Sequence, residues 1–590
     1  MTILRLPIFT RIFGIVNPNI RKYIVNTSSK IYCKKFTEHR YYTTTIKTSI
    51  DSQNIVSSGL PDVTGFENIY LHDFIWEKVG RWWNHTALVC SETGRSYTYA
   101  ELRKACGRLA TGLRKSDLLP GDTIAIVLPN IPEFVIILLA AHEAGLRTTL
   151  INPTYTEHEI AKLLDTADAQ AVFTFPSKFT DVQMSIKKNS KIKLPIVIVN
   201  DGTGAASISG TIKLDDLMHD NIEEFSISQK TDVNYDDAVI LPCSSGTTGL
   251  PKVVEITHRN YVANIMQSKH PVFFPGLEAT EYHQDIIPVI LPMYHSYGLI
   301  FSTYCFLRIG AKVVCMPNFS TSKFIKLLES HQFTVLHTVP PIIQMMANDE
   351  RITPEHVASV KQIVVGAAPI GEESLLQFRN RVSDTVPIIQ GYGATELSPL
   401  CTFGTSDTPI TSCGYLIPST KMKIIGKEDT NINKNLGPKE IGEIYIQGPQ
   451  VMKGYYKNPK ATADTMDGDW YKTGDLGYFT ENGLLYVTGR LKEMIKVKGH
   501  QVTPTELEEV IRGYDKILDV AVIGVPHDKY GEIPKAFVVP KPGINIHENE
   551  IKEFVAKRVA KIKHLGYVQI LENIPKTASG KILRKDLQKL

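Results

Sequence analysis

Between the apolar residues Ile240-Leu-Pro242 and Val253-Val254 the chain sets Ser244, Ser245, Gly246, Thr247, Thr248, Gly249, Leu250, Pro251 and Lys252, which brings four hydroxyls, two glycines and a lysine together. Glycines let a backbone approach a ligand closely, amides and hydroxyls donate to phosphate oxygens, and a lysine adds compact positive charge. The chemistry this suits is holding the phosphates of a nucleoside triphosphate. The spacing is not the G-x-x-x-x-G-K-[ST] of P-loop NTPases, so those enzymes are not the match. Four more segments follow in order: Gln390-Gly-Tyr-Gly-Ala-Thr-Glu396, Tyr471-Lys-Thr-Gly-Asp475, Gly489-Arg-Leu-Lys-Glu-Met-Ile-Lys-Val-Lys-Gly-His-Gln501 and Pro575-Lys-Thr-Ala-Ser-Gly-Lys581.

Rigid elements must position these segments. Glu101 to Lys115 puts Leu102, Ala105, Leu109 and Leu113 on one helical face, and Leu119-Pro-Gly121 separates it from the strand-like Thr123 to Leu128. Phe134 to Ala141 reads as a buried helix and Arg147 to Ile151 as the next strand. Lys323 to Leu328 leads into Thr334 to Val339, and Ile363 to Val365 leads into Gly366-Ala-Ala-Pro369. This alternation predicts an α/β fold with parallel sheets covered by helices. Past Gly489 the elements shorten: a helix over Thr505 to Ile511, strands over Val520 to Ile523 and Ala536 to Val539, and a basic helix over Glu548 to Lys561. A chain of 590 residues exceeds what one core organises. We therefore expect a large N-terminal domain of several subdomains over 50–490 and a small α+β domain over 491–590.

With 43% apolar residues, 21% charged and a net charge of +4, the composition is that of a globular protein with no nucleic-acid footprint. The eight cysteines form no CxxC pair, which argues against zinc ribbons, thioredoxin chemistry and a disulfide framework and for a reducing compartment. Apolar runs such as Phe134 to Ala141 are far shorter than the roughly 20 residues a membrane span needs, so insertion is not expected. Glu157-His-Glu159 is not HExxH, and no metal site is read there. Arg5, Arg11, Arg21, Lys22, Lys30, Lys34 and Lys35 precede the first acid, Glu38. Interleaved with Ile, Leu and Phe, they predict a mitochondrial transit peptide over residues 1–45 and a matrix location, the alternative being a disordered basic arm. The terminal Gln588-Lys-Leu590 faintly resembles the Ser-Lys-Leu peroxisomal address, the second location considered.

Taken together, the five motifs resemble those of the adenylate-forming acyl-CoA synthetases, the superfamily that also holds beetle luciferases and peptide-synthetase adenylation domains. Within it the chain is similar to 4-coumarate–CoA ligase and its animal acyl-CoA ligase relatives, from roughly residue 65 to 590. The resemblance implies an N-terminal adenylation domain with a mobile C-terminal domain. It implies a ligase that takes ATP, Mg²⁺, coenzyme A and an apolar carboxylic acid, either a fatty acid or a 4-coumarate-like aryl acid. The product of its first step would be an acyl-adenylate and that of its second an acyl-CoA thioester.

The same resemblance assigns roles. Ser244 to Lys252 would close on the β- and γ-phosphates, with Thr247, Thr248 and Lys252 donating beside Ser245 and Gly246. Ala367 would stand beside the adenine with Gln390, Gly391 and Tyr392. Thr395 would donate to the α-phosphate, and Glu396 would supply the hard oxygen that Mg²⁺ prefers. Asp475 would accept the ribose hydroxyls and Arg490 donate to the same sugar. His295 and Tyr297 would border the carboxylate and the acyl group. Lys581 would bridge the carboxylate and the α-phosphate during adenylation, with nearby Lys576 as its natural control. A swing about Lys492 would then bring in Lys496, Lys498 and Gly499 for thioester formation, Lys498 and Gly499 bordering the pantetheine route. Two departures stand out: Val253 replaces a glycine and is expected to stiffen the phosphate loop, and Asn318 replaces a lysine that can contact CoA. The basic stretch from Lys552 to Lys563 reads as a solvated face. Two other functions compete: a luciferase-like monooxygenase that oxidises the adenylate, and an inactive ligand-binding scaffold.

Overall fold

The structure is a computed structural model and describes residues 46–590 except 188, 190, 203–207, 220–232, 245–251, 369, 428–430, 499 and 578–579. The expected transit peptide, Ser245 to Thr248 and Gly499 therefore lie outside the described residues.

Helix and strand alternation builds the expected α/β layers. The helix Tyr99–Arg114 starts on a capping box, Thr98 with Glu101, and buries Leu102, Cys106, Leu109 and Leu113. Pro132–Glu143 opens with a proline and is buried on all sides, which is why its run of Phe, Val, Ile and Leu shows no polar stripe. These helices cover an eight-stranded sheet whose strands from Ala238–Ser244 to Ile212–Lys213 run parallel. A second layer contains Val335–Thr338, Gln362–Val365 and Ile388–Tyr392, also parallel. Beside it, Ile286–Val289, Lys312–Cys315 and Thr86–Cys90 form a further parallel set.

A third layer was not expected. Val56–Ser57, Lys421–Ile425, Gly442–Gln447, Trp470–Phe479 and Leu485–Arg490 pair antiparallel within a seven-stranded sheet. From Lys421 on, only the short helix Pro459–Thr465 interrupts its strands, so the regular helix–strand rhythm that revealed the other layers is missing.

From Ile495 onward the chain forms a five-stranded sheet dominated by the hairpin of Ile517–His527 and Gly531–Pro540. Val520, Val522, Ala536 and Val538 pack on one face with Leu507, Ile511, Ile551 and Val555. Ala521, Ile523, Phe537 and Val539 pack on the other with Ile574 and Leu587. The predicted helix to Lys561 ends at Ala556 instead. Beyond Val555 no further side chain of that segment is buried, so nothing packs to prolong it. No helix among the described residues is long and apolar enough to cross a membrane, and every described cysteine is free.

Candidate active site

A cleft of about 1190 Å³ opens where several parallel strands end. Cys243 and Ser244 end one strand, Gly366 to Ala368 follow another, Gln390 to Tyr392 end a third, and Val339 to Pro341 follow a fourth. Carboxyl ends of parallel strands are where α/β folds bind ligands, because successive loops diverge there. The antiparallel sheet adds Asp475 and Arg490, which are direct cross-strand partners. The C-terminal sheet's side adds Lys581.

The polar wall is tightly wired. The Tyr392 hydroxyl donates to Asp475 Oδ2 at 2.7 Å, and Arg490 Nε stands 3.2 Å from Asp475 Oδ1. Burial pushes the Asp475 carboxyl above the usual carboxylate range, while Arg490 and Tyr392 pull it back. Glu396, 7% exposed, accepts from the Tyr455 hydroxyl at 2.9 Å. Lys252 Nζ lies 4.4 Å from the centre of that tyrosine ring. The single-turn helix Thr395–Leu397 sets Thr395 beside Glu396 on the same wall. Ala367 holds a left-handed φ of 68°, an uncommon conformation for a residue with a Cβ and one that concentrates at functional sites.

Lys581 rides on a tight turn in which its N–H donates to Thr577 Oγ1 at 3.1 Å and its carbonyl accepts from Thr577 N at 2.8 Å. Gly580, at φ +82°, packs the turn against the large lobe: a Cβ there would sit 3.2 Å from Pro341 Cδ. Burial lowers the Lys581 ammonium pKa and Arg490 lowers it further, whereas Asp475, Glu396 and Glu493 oppose the shift. His295 is held neutral, its pKa depressed to about 4 by burial and by the facing Lys581.

The apolar end has its own construction. Tyr297–Tyr304 is a π-helix, the wide-turned form often found at functional sites, and it presents Tyr297 and Phe301 to the cleft. The Tyr297 hydroxyl donates to the carbonyls of Val364 (3.2 Å) and Thr338 (3.4 Å). Gly366 leaves room for this ring, since a Cβ there would stand 3.0 Å from Tyr297 Cε1. Phe301 packs edge-on against Phe403 with ring centres 5.4 Å apart.

The structure therefore gathers Ser244, Lys252, His295, Tyr297, Ala367, Gln390, Gly391, Tyr392, Thr395, Glu396, Asp475, Arg490, Lys492 and Lys581 around one cavity. Lys496 and Lys498 do not line it; both are exposed. The Lys496 N–H donates to Glu532 Oε2 at 2.7 Å, and Lys498 Nζ rests 4.4 Å from the Tyr530 ring centre. The Gln390 side chain accepts from Ile370 N at 3.3 Å and donates to the Ile410 carbonyl, so its amide braces two loops. Val253 overturns its reading as a loop stiffener: it lies in the strand Lys252–Thr257, is 2% exposed, and packs with Ala167, Ala238 and Leu241. Asn318 is exposed. Lys576 is paired with Asp519 Oδ2 at 2.6 Å. Sequence reasoning missed Tyr455, Phe301, Glu493 and Arg584. Two had a signal: Glu493 lies inside the Gly489 to Gln501 segment, and Arg584 stands three residues beyond the last motif.

Comparison with known proteins agrees with this geometry. The family model described as "AMP-binding enzyme" matches residues 75–456, and "AMP-binding enzyme C-terminal domain" matches 506–581. The chain belongs to the AMP-binding enzyme family. It is 34% identical to 4-coumarate–CoA ligase 1 of Arabidopsis thaliana, over 91% of this chain and 95% of that one. It is 36% identical to 4-coumarate–CoA ligase 5 of rice (Oryza sativa subsp. japonica), over 92% and 98%. Among solved structures it resembles ATP-bound MatB from Rhodopseudomonas palustris, with a TM-score of 0.78 and 26% identity, covering 88% of this chain and 98% of that one. It also resembles the o-succinylbenzoate CoA synthetase of Bacillus subtilis in complex with its acyl-adenylate intermediate, with a TM-score of 0.72 and 27% identity over 88% and 98% of the two chains. The fold is thus that of the adenylate-forming enzymes, a large α/β adenylation domain with a small C-terminal domain.

Proposed function

We propose that this family member is an ATP-dependent acid:CoA ligase acting on an apolar carboxylic acid. A carboxylate oxygen attacks the α-phosphorus of ATP, the bond to pyrophosphate breaks, and an acyl-adenylate forms. The thiol of CoA, losing its proton, then attacks the acyl carbonyl, and AMP leaves with the electron pair of its bond to that carbon. The observation that carries this reading is the desolvated Lys581 ammonium, lowered in pKa by burial and set in one cavity with Glu396, Asp475, Arg490 and His295. Two anions, carboxylate and triphosphate, repel each other, and a cation in a partly dry site offsets that repulsion most where charge crowds in the transition state. Neutral His295 beside it can orient the carboxylate without adding a second positive charge.

Lys252 supports the outer phosphates, and the Tyr392–Asp475–Arg490 chain supports the sugar. Glu396, the carboxylate at the phosphate end, suits Mg²⁺ held mainly by phosphate oxygens, the arrangement this ion favours. Among the described residues no cluster of three or more His, Cys, Asp or Glu competes for a metal. When bound, Mg²⁺ supplies charge neutralisation on the phosphates. Tyr297, Phe301, Val339, Val364 and Phe403 make the far end apolar, which fits a fatty or aryl acid. Lys496 and Lys498, outside the cleft here, would reach it by rotation of the C-terminal lobe near Lys492. The basic, acid-poor start of the chain supports a matrix location, to be checked by imaging a fusion of the full chain. ATP–pyrophosphate exchange across a panel of carboxylates tests the whole reading. No exchange with any acid, including 4-coumarate and decanoate, would sink it.

A further inference from the structure

We propose that Arg584 is a positioning residue for Lys581, aiming it into the cleft by tying its turn to the interlobe segment through Glu493. The inference rests on the adenylating role given above to Lys581. Arg584 begins the last helix, Arg584–Leu587, three residues after that lysine. Its Nε pairs with Glu493 Oε2 at 2.6 Å. Its Nη1 donates to Glu508 Oε1 and to the Val522 carbonyl, both at 2.6 Å. The three acceptors belong to three elements: the single turn Leu491–Glu493, the helix Pro504–Arg512 and the strand Ile517–His527.

These contacts differ in purpose. Glu508 is buried to 3% exposure, and with Val522 it fixes the guanidinium inside the small lobe's own fabric. Anchoring the last helix needs nothing more. The bond to Glu493 reaches instead to the turn that directly follows Arg490, whose guanidinium pairs with Asp475 in the large lobe's sheet. Glu493 lines the cleft and its charge acts on Lys581. Around Lys581 the described residues are also held by the Thr577 bonds, by Leu583 N donating to the Pro575 carbonyl at 2.9 Å, by the Lys576–Ile582 bridge and by packing of Ile582 with Ile574 and Leu587, all within the small lobe. The Arg584–Glu493 bond adds what those contacts lack, a tie from this segment to the turn Leu491–Glu493 beside the cleft. A planar fork can satisfy both carboxylates at once and a lysine cannot.

The test uses the full chain carrying Glu493→Gln or Arg584→Lys. Glu493 is 27% exposed and glutamine keeps its shape, so Glu493→Gln should melt close to the parent temperature. The readouts are exchange driven by 4-coumarate or decanoate, whichever the parent uses, and thioester formation from supplied acyl-adenylate and CoA. Both variants should lose about tenfold or more in exchange kcat with the ATP KM nearly unchanged, because a small misplacement of a reacting group costs this much. Thioester formation should persist. Equal loss in both half-reactions, or parental exchange in Glu493→Gln, overturns the proposal. Lys581→Ala runs alongside: if exchange survives that change, the adenylating role itself fails, a result independent of what Glu493 does.

Discussion

Replacing Lys581 by alanine removes one positive charge from a half-buried place in the cleft, where partial loss of water disfavours the charge. In the structure the ammonium shares the cleft with Arg490, which disfavours its charge, and with Asp475, Glu396 and Glu493, which favour it. It is thus poised between opposing fields until substrates bring more negative charge. At an effective dielectric constant near 20, two unit charges about 4 Å apart interact by about 4 kcal/mol, and part of that is realised already in the ground state. Removing one preorganised charge-stabilising group typically costs about 3–4 kcal/mol of transition-state stabilisation, so exchange kcat should fall by roughly 10²–10³. Lys576 provides the internal comparison. It also touches the cleft, yet its ammonium is committed to Asp519 at 2.6 Å. Lys576→Ala should therefore change exchange by less than about threefold, the scale of an ordinary partly exposed ion pair. Acid-dependent exchange with labelled pyrophosphate, measured at saturating ATP, reads both variants directly. Comparable losses in the two would mean that net positive charge in the C-terminal lobe matters and the placement of Lys581 does not.

Asp475→Asn keeps the shape but leaves Arg490 facing a neutral amide, and should raise the ATP KM by about tenfold or more, on the scale of a lost charge-assisted bond; an unchanged KM would remove Asp475 from nucleotide binding. Val253→Gly, which restores the residue expected of relatives, should destabilise the fold by about 1–3 kcal/mol without raising turnover, since it empties a buried strand position; thermal melting and exchange rates decide this together. The histidines predict acid sensitivity. His258 and His337 are depressed to about 3 and His295 to about 4, chiefly by burial, and His72 and His142 are also pushed down. Their folded pKa values lie below the unfolded ones, so unfolded chains take up protons first. The stability they confer is complete above about pH 6.5 and is lost as pH falls toward 4, at up to roughly 1.4 kcal/mol per pH unit for each histidine. Urea midpoints at pH 7.5, 6.0 and 5.0 should fall in that order, and a flat series would contradict the assignment.

Local chemistry was legible in the sequence where it came in contiguous runs. The Gln390 to Glu396 and Tyr471 to Asp475 segments could be read directly, and the parallel layers followed from the alternation of strand-like runs with helices, some burying one recurring face, as Tyr99–Arg114 does, and one, Pro132–Glu143, buried throughout. What escaped were partners supplied from afar. Tyr455 reaches Glu396 and Tyr392 reaches Asp475 across gaps of 59 and 83 residues, distances over which no local pattern carries information. Val253 was misread for a related reason. Its neighbours in sequence suggest a loop, and only pairing with Cys243 shows that the strand has already begun. The Tyr297–Tyr304 π-helix was also invisible, since a widened turn alters hydrogen bonding without altering composition.

Arg490 stands at a junction. It faces Asp475 across the hairpin and is followed at once by the turn Leu491–Glu493. A group bound at Asp475 and Arg490 would thus touch the residue that directly precedes the turn Leu491–Glu493, with no relay of packed side chains between them. Under the proposed reaction, a nucleotide losing its pyrophosphate or its acyl group would alter the load on that single guanidinium. In the proposed reaction, the residue that meets the sugar would also be the one from which the C-terminal lobe departs.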